Sequence, residues 1–497
     1  MPRNFFDAVA GRAHPGATFL ILPGRKDMSF GAAFEMAGRM ANVLVAQGVV
    51  PGDRVMAQVE KSAEALCLYL ACLRAGAIYV PLNTGYTPSE VAYFIGDAEP
   101  KVFVCSNPER IAAVAGKARL LTLGADGRTG SLLEQAAGQG SEFSDAKIGM
   151  DDLAAILYTS GTTGRSKGAM LSHGNLWSNA QTLAELWRFT ADDVLLHALP
   201  IFHIHGLFVA TNVSMAAGGS MILLPKFDVN EIFRWLPRAT TMMGVPTFYT
   251  RLLPDPRLTV EAAHHIRLFV SGSAPLLAET HRQWQERTGH AILERYGMTE
   301  TGMIASNPYD GARVPGSVGY ALPGETVRVA DEVGVALTPG EVGMIEVRGP
   351  NVFQGYWRMP DKTAEEFRKD GFFITGDLGV MEPDGRLAIV GRGKDLIISG
   401  GFNVYPKEIE SLIDEIAGVE ESAVIGVTHP DFGEGVTAVV VKTDAALTEA
   451  DVLAALADSL ARFKCPKRVL FVDQLPRNTM GKVQKSALRE QFRDLYR

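Results

Sequence analysis

The chain of 497 residues is 47% hydrophobic and 21% charged, a globular composition that excludes a disordered or collagen-like chain. A length of this order suggests about two to four folding units. With 48 Lys and Arg against 56 Asp and Glu the net charge is −8, which disfavours nucleic-acid and membrane-surface partners but leaves room for a local basic pocket for one small anion.

The four cysteines, Cys67, Cys72, Cys105 and Cys465, form no CxxC pair and are too scattered for a disulfide framework or a cysteine zinc site. The start, MPRNFFDAVAGRAHPG, has no apolar core of a secretory signal. The most apolar stretch, 66–73, is eight residues long, far short of the ~20 residues of a membrane span. A soluble, cytoplasmic protein is expected.

In chain order, Phe30, Phe34, Ala37, Met40, Ala41 and Leu44 recur at helical spacing after Ser29, and Gly48 stops them. Helical segments then alternate with the apolar runs VMAQV (55), KVFVC (101), LAAILYT (153), VLLHAL (194), SMILLP (220), TTMMGV (240) and IRLFVSG (266). This alternation predicts an α/β layered domain. From about Gly316, TVRVA and MIEVRG lie between turn signals and predict a small antiparallel barrel or sheet. The pattern changes again at GRGKDLIISGG (391–401). Beyond it come a helix (406–416), the strands ESAVIGV and GVTAVVVK, a helix (449–461), the strand RVLFV and a basic tail. The predicted division is a body, 1–393, and a small α+β cap, 394–497.

The densest local signal is TSGTTGRSKG, 159–168. Thr159, Ser160, Gly161, Thr162, Thr163 and Gly164 offer hydroxyls and closely approachable backbone N–H groups, and Lys167 adds charge, a set suited to a polyphosphate. Lys167 follows Ser166 rather than a glycine, so this is not the Walker loop.

With its flanks, YTSGTTGRSKGAMLSH resembles the signature of the acyl-adenylate-forming superfamily, which includes acyl-CoA synthetases, stand-alone adenylation domains and luciferases. LPIFHIHGL (199–207), SGSAPL (271–276), ERYGMTE (294–300), TGDLG (375–379), GRGKDLIISGG (391–401) and PRNTMGKVQK (476–485) follow in the family's order. The resemblance implies an α/β fold: a large N-terminal body of layered subdomains with a β-barrel-like part, then a small mobile cap. It also implies chemistry. A carboxylate attacks the α-phosphorus of ATP, pyrophosphate leaves, and the thiol of coenzyme A displaces AMP from the acyl-adenylate.

By this resemblance the loop from Thr159 to Lys167 holds the β- and γ-phosphates, and Glu300 holds Mg²⁺, a hard cation wanting oxygen ligands. Thr299 contacts the α-phosphate. Tyr296 and Gly297 meet adenine beside Ser273 and Ala274. Asp377 accepts hydrogen bonds from the ribose hydroxyls, and Arg392 reaches ribose and phosphate from the other side. Lys482 is the catalytic lysine, whose ammonium stabilises charge as it develops; a lysine acetyltransferase acting on it would remove that charge. Lys394 is the hinge, and Gly400 and Gly401 approach the pantetheine of CoA after the cap turns. His197, His203 and His205 have no carboxylate partner nearby and are read as packing or hydrogen-bonding residues; His203, at the junction of acyl pocket and phosphate loop, is read as positioning and gating.

Within the superfamily the sequence is similar to malonyl-CoA synthetases, including HxHGL, GVPTFYxR, VSGSA and ERYGMTET. That likeness implies that Arg251 and Arg295 clamp the distal carboxylate of malonate, with Ile204 and Met303 on the wall facing C2, where methylmalonate carries its methyl group. Guanidinium pairs a buried carboxylate bidentately, and an arginine-lined pocket penalises monoacids. Three alternatives stay open: a ligase for a short- or medium-chain or aromatic acid, an adenylation enzyme loading a separate carrier protein, and an inactive nucleotide-binding regulator. The sequence gives no oligomeric state.

Overall fold

A computed structural model describes residues 2–159, 166–457, 459–478 and 481–496. The helix expected after Ser29 spans Phe30–Ala46. It opens where Ser29 Oγ accepts from the Ala32 N–H at 3.1 Å, a cap of about 1 kcal/mol. The chain then turns at Gly48 with φ +82°, open to glycine at no steric cost. The apolar stretch 66–73 lies within helix Ala63–Ala75 and is buried all round, as an unbroken apolar run inside a large α/β body should be.

Two large sheets form the body. The six-stranded one runs, edge to edge, Arg119–Thr122, Val102–Cys105, Arg54–Gln58, Ile78–Pro81, Leu153–Thr159, Lys167–Ser172. Its first five strands are parallel and the last is antiparallel to its neighbour. The glycine-rich segment therefore joins two strands of a hairpin, whereas a Walker loop joins a strand to a helix.

The second sheet has thirteen strands. Thr18–Ile21, Ser220–Leu223, Val194–His197, Thr241–Gly244, Leu268–Ser271 and Leu293–Met298 are parallel neighbours, in that order. The antiparallel part expected after Gly316 is continuous with them. It joins through the hairpin of Leu293–Met298 with Gly302–Ser306, then continues through Ser317–Ala321, Leu387–Arg392, Phe373–Met381, Val342–Arg348 and Thr326–Ala330. The motifs HxHGL, GVPTFY and SGSAPL follow the carboxyl ends of adjacent parallel strands, and ERYGMTE occupies the next strand, which is where open α/β sheets bind ligands.

The third sheet has five strands. Phe402–Val404, Ile397–Ser399, Gly433–Lys442 and Val419–His429 pair antiparallel, and Arg468–Phe471 runs parallel to Gly433–Lys442. Alternation along its long strands feeds two cores. Val424, Val436, Ala438 and Val440 pack on Ile409, Ile413, Val452 and Leu456, while Ala423, Ile425, Val427, Val439 and Val441 pack on Leu475 and Leu488. Helix Pro406–Asp414 ends two residues short of the sequence expectation, and the second helix is described over Glu449–Ala457. Among the described residues no helix is long and apolar enough to cross a membrane.

Candidate active site

Asp377 is the centre of a buried polar cluster. It lies in strand Phe373–Met381, directly opposite Arg392 on Leu387–Arg392, so backbone register alone brings the two together. Arg392 Nε is 2.9 Å from Asp377 Oδ1, and Tyr296 donates its hydroxyl to Asp377 Oδ2 at 2.6 Å. The carboxylate is 3% exposed; pairing with a guanidinium and a phenol is what makes such burial tolerable. Tyr296, Asp377 and Arg392 line a cavity of about 520 Å³ together with Ser273, Ala274, Gly297, Arg295, Arg251 and Lys482.

Lys482 comes from the third sheet's side. Asn478 shapes its turn: the Lys482 N–H donates to Asn478 Oδ1, and the Asn478 N–H donates to the Lys482 carbonyl, both at 2.9 Å. Gly481, at φ +73°, packs so closely on Thr247 of helix Pro246–Leu252 that an added Cβ would lie 3.3 Å from it. Burial, then the neighbouring Arg392 charge, lower the Lys482 pKa to about 8. The Gly393–Asp395 turn containing Lys394 links Leu387–Arg392 of the thirteen-stranded sheet to Ile397–Ser399 of the five-stranded one. Arg489 clasps it through Asp395 at 2.6 Å.

The cavity's far wall holds Arg295, 4% exposed, whose Nε and Nη2 have no hydrogen-bond partner among the described residues. Burial pulls its pKa down to about 9, so it is a cation at neutral pH. Gly272 makes room for it, since a Cβ there would collide with the guanidinium. The next residue, Ser273, is held at φ +73°, an unusual conformation for a non-glycine residue, with its Oγ 3.1 Å from His205 Nδ1. Arg251 borders the same cavity but is exposed, its guanidinium 4.9 Å over the Phe227 ring.

Near the glycine-rich segment, Thr159 Oγ1 lies 3.5 Å from the Lys167 carbonyl. Ser160, Gly161, Thr162, Thr163 and Gly164 are outside the described residues. Lys167 Nζ pairs with Glu366 at 2.9 Å and sits 4.1 Å over the Tyr356 ring. The Tyr356 hydroxyl is 2.6 Å from Glu366 Oε2 and 3.1 Å from Glu300 Oε1. Glu300 is buried, which raises its pKa. Thr299 occupies the turn just before it. Sequence reasoning misses Glu366 and Tyr356, since nothing in their local contexts, PDKTAEEF and FQGYW, signals that they meet Lys167.

Other expected positions fall elsewhere. Ile204 lines a separate void of about 10 Å³ with Phe208, Asn179 and Gly302. Met303 stands directly opposite Gly297 on the neighbouring strand, its backbone tied at both N–H and carbonyl by Asn179. Neither is among the residues that line the large cavity, but Met303 stands next to that lining: its terminal methyl would lie 2.7 Å from a Cβ on Gly297. Gly400 and Gly401 form an exposed hairpin away from the cavity, with φ +59° and +82°. His203 is half-buried; burial, then the Arg295 and Lys482 charges, lower its pKa to about 4, so it is neutral at pH 7. His197 and His205 are buried, His197 hydrogen-bonded at both ring nitrogens and His205 at Nδ1, and among the described residues no group of three or more His, Cys, Asp or Glu could hold a metal ion.

The geometry is paralleled in known proteins. The family of AMP-binding enzymes matches residues 6–357, and the AMP-binding enzyme C-terminal domain matches 408–482. The chain is 37% identical to a feruloyl-CoA synthase of Amycolatopsis sp, covering 97% of each, and 35% identical to a malonate–CoA ligase of Arabidopsis thaliana, covering 89% of this chain and 78% of that one. Crystal structures of MatB from Rhodopseudomonas palustris are 62% identical over the whole of both chains; the TM-score is 0.98 to the ATP-bound form and 0.87 to the apo form. The chain belongs to the family of AMP-binding enzymes and is an AMP-forming acid–CoA ligase of the acyl-CoA synthetase superfamily.

Proposed function

We propose that the acid is malonate, converted with ATP and CoA into malonyl-CoA, AMP and pyrophosphate through a malonyl-adenylate, and that methylmalonate is also accepted. The observation that carries this reading is Arg295: a buried cation, two of whose nitrogens have no hydrogen-bond partner among the described residues, on the lining of the cavity that also holds Asp377 and Lys482. Such a group calls for an anion, and malonate supplies one carboxylate for activation and a second for Arg295. Arg251, more exposed, closes the outer side. A feruloyl or other aryl acid would leave Arg295 unpaired. The likeness to a malonate–CoA ligase and to MatB supports the same choice.

In the first half-reaction Asp377 accepts from the ribose hydroxyls, Arg392 faces ribose and α-phosphate, and Tyr296 and Gly297 flank adenine with the Ser273–Ala274 turn. Lys167 and the segment from Thr159 hold the outer phosphates, and Thr299 the α-phosphate. Lys482 stands between the attacking carboxylate and the phosphate and stabilises the charge that builds up there. His203, being neutral, positions the acid without repelling Arg295. Mg²⁺ fits at Glu300, an oxygen donor buried beside the phosphate-binding lysine, where it would neutralise phosphate charge. In the second half-reaction the cap, 394–497, turns on Lys394 against the body, 1–393. Lys482 is withdrawn, and Gly400 and Gly401 come beside the incoming thiol. The likeness to the ATP-bound MatB conformation supports assigning the present arrangement to the first half-reaction.

AMP release measured across a panel of malonate, methylmalonate, acetate, butyrate, benzoate and ferulate tests the proposal. Malonate should rank first and methylmalonate second; a monoacid in first place overturns it.

A further inference from the structure

Lys61 follows strand Arg54–Gln58 and precedes Ser62, the cap of helix Ala63–Ala75. Its side chain crosses from the six-stranded sheet to the end of a strand in the thirteen-stranded one. There Nζ lies 2.8 Å from the His197 carbonyl oxygen, 2.8 Å from the Leu199 carbonyl oxygen and 3.1 Å from His197 Nδ1.

The protonation pattern follows from the partners. His197 Nε2 is 3.0 Å from the Gly206 carbonyl and 3.1 Å from Thr211 Oγ1, and Thr211 donates its own hydroxyl to the same carbonyl at 2.9 Å. A carbonyl only accepts, so Nε2 carries the hydrogen and Nδ1 is the acceptor for Lys61. Three acceptors then face Nζ, matching the three hydrogens of an ammonium; a neutral amine would leave one of them against a lone pair. Burial works against the charge, and these three hydrogen bonds work for it.

The consequence is mechanical. Lys61 holds the outgoing limb of the 197–206 loop at His197 and Leu199, and His197 holds the returning limb at Gly206. Between the two anchors stand His203 and His205, the latter in contact with Ser273 of the cavity turn. Gly206 allows the limbs to close, since a Cβ there would collide with the Pro200 carbonyl.

We infer that Lys61 is a positioning residue for adenylation, acting through the loop that presents His203 to the acid; this rests on the reading of His203 proposed above. The test is a double-mutant cycle of Lys61→Met, similar in length but without donors, and His203→Ala, read by malonate-dependent ATP–pyrophosphate exchange at saturating ATP. Lys61→Met alone should slow exchange ~10- to 100-fold, the scale of a misplaced catalytic loop. In the His203→Ala background the same change should cost less than about threefold, because residues acting through one another are not additive. Losses that multiply assign Lys61 a general structural role and overturn the inference. A normal rate for His203→Ala removes the reading of His203 itself, whereas a normal rate for Lys61→Met overturns the role of Lys61 and leaves His203 standing. Should Lys61→Met fail to fold, Lys61→Gln, which keeps two donors, takes its place in the cycle with a smaller expected loss and the same deciding comparison.

Discussion

Lys167 and Glu366 form an ion pair at 2.9 Å across 199 residues of sequence, with Lys167 lying over the Tyr356 ring. The lysine proposed to grip the outer phosphates thus has a carboxylate partner of its own, and polyphosphate must compete with Glu366 for it. Glu366→Gln removes the competing charge and should lower the KM for ATP several-fold while changing kcat little. Steady-state kinetics at saturating malonate check this; an increase in KM would mean that Glu366 stays with Lys167 and helps to hold the nucleotide.

Lys482→Ala should nearly abolish malonyl-AMP formation and spare thioester formation from supplied malonyl-adenylate. The turn that carries it belongs to the cap that the proposed mechanism rotates, and it meets the body at Thr247. Equal loss in both assays would show that Lys482 serves folding or both conformations.

The same lysine sets a pH limb. Its pKa is lowered to about 8 by burial and by Arg392, and the ammonium is the working form. Activity in kcat/KM for ATP, which reports free enzyme, should therefore fall as pH rises through about 8. In kcat the limb should move to higher pH, because bound phosphates favour the cation. Thioesterification should lack the limb. A pH profile identical for both half-reactions contradicts this.

Lys394→Pro should leave adenylation largely intact and block CoA transfer. Proline fixes φ near −65° in the short turn where the chain passes between sheets. Single-turnover assays decide: lost adenylation with normal thioesterification would contradict the hinge.

Much of the fold and of the site is legible in the amino-acid sequence. Periodicity marks the α/β body and the two-faced cap sheet because each strand buries one or both faces, and burial leaves a pattern. Asp377, Tyr296, Arg295 and Lys482 stand out in the sequence only through motifs that resemble a family's, and the structure brings all four to one cavity. What the sequence conceals arises from pairing between distant strands. The Asp377–Arg392 pair depends on register across a hairpin. The placing of Met303 directly opposite Gly297 depends on a register shift in another hairpin. Glu366 acquires its meaning only where a short helix passes Lys167 of the hairpin 153–172, and Lys61 only where two sheets meet. The continuity of the antiparallel part with the parallel sheet is hidden for the same reason, since a change in turn composition marks a change of strand direction and not the end of a sheet.

The central claim is that Arg295 selects a diacid, and the ratio of kcat/KM for malonate to that for acetate, in the wild type and in Arg295→Met, tests it most directly. Removing one partner of a buried ion pair costs ~3–5 kcal/mol, so the wild-type ratio should be at least about a hundredfold. In Arg295→Met it should collapse toward unity through loss of malonate turnover, with acetate turnover retained and thermal stability of the acid-free enzyme unimpaired. Arg251→Ala should lower the ratio by less, because Arg251 is exposed. A wild type that prefers a monoacid, or an Arg295→Met variant that loses both acids equally, would contradict the account.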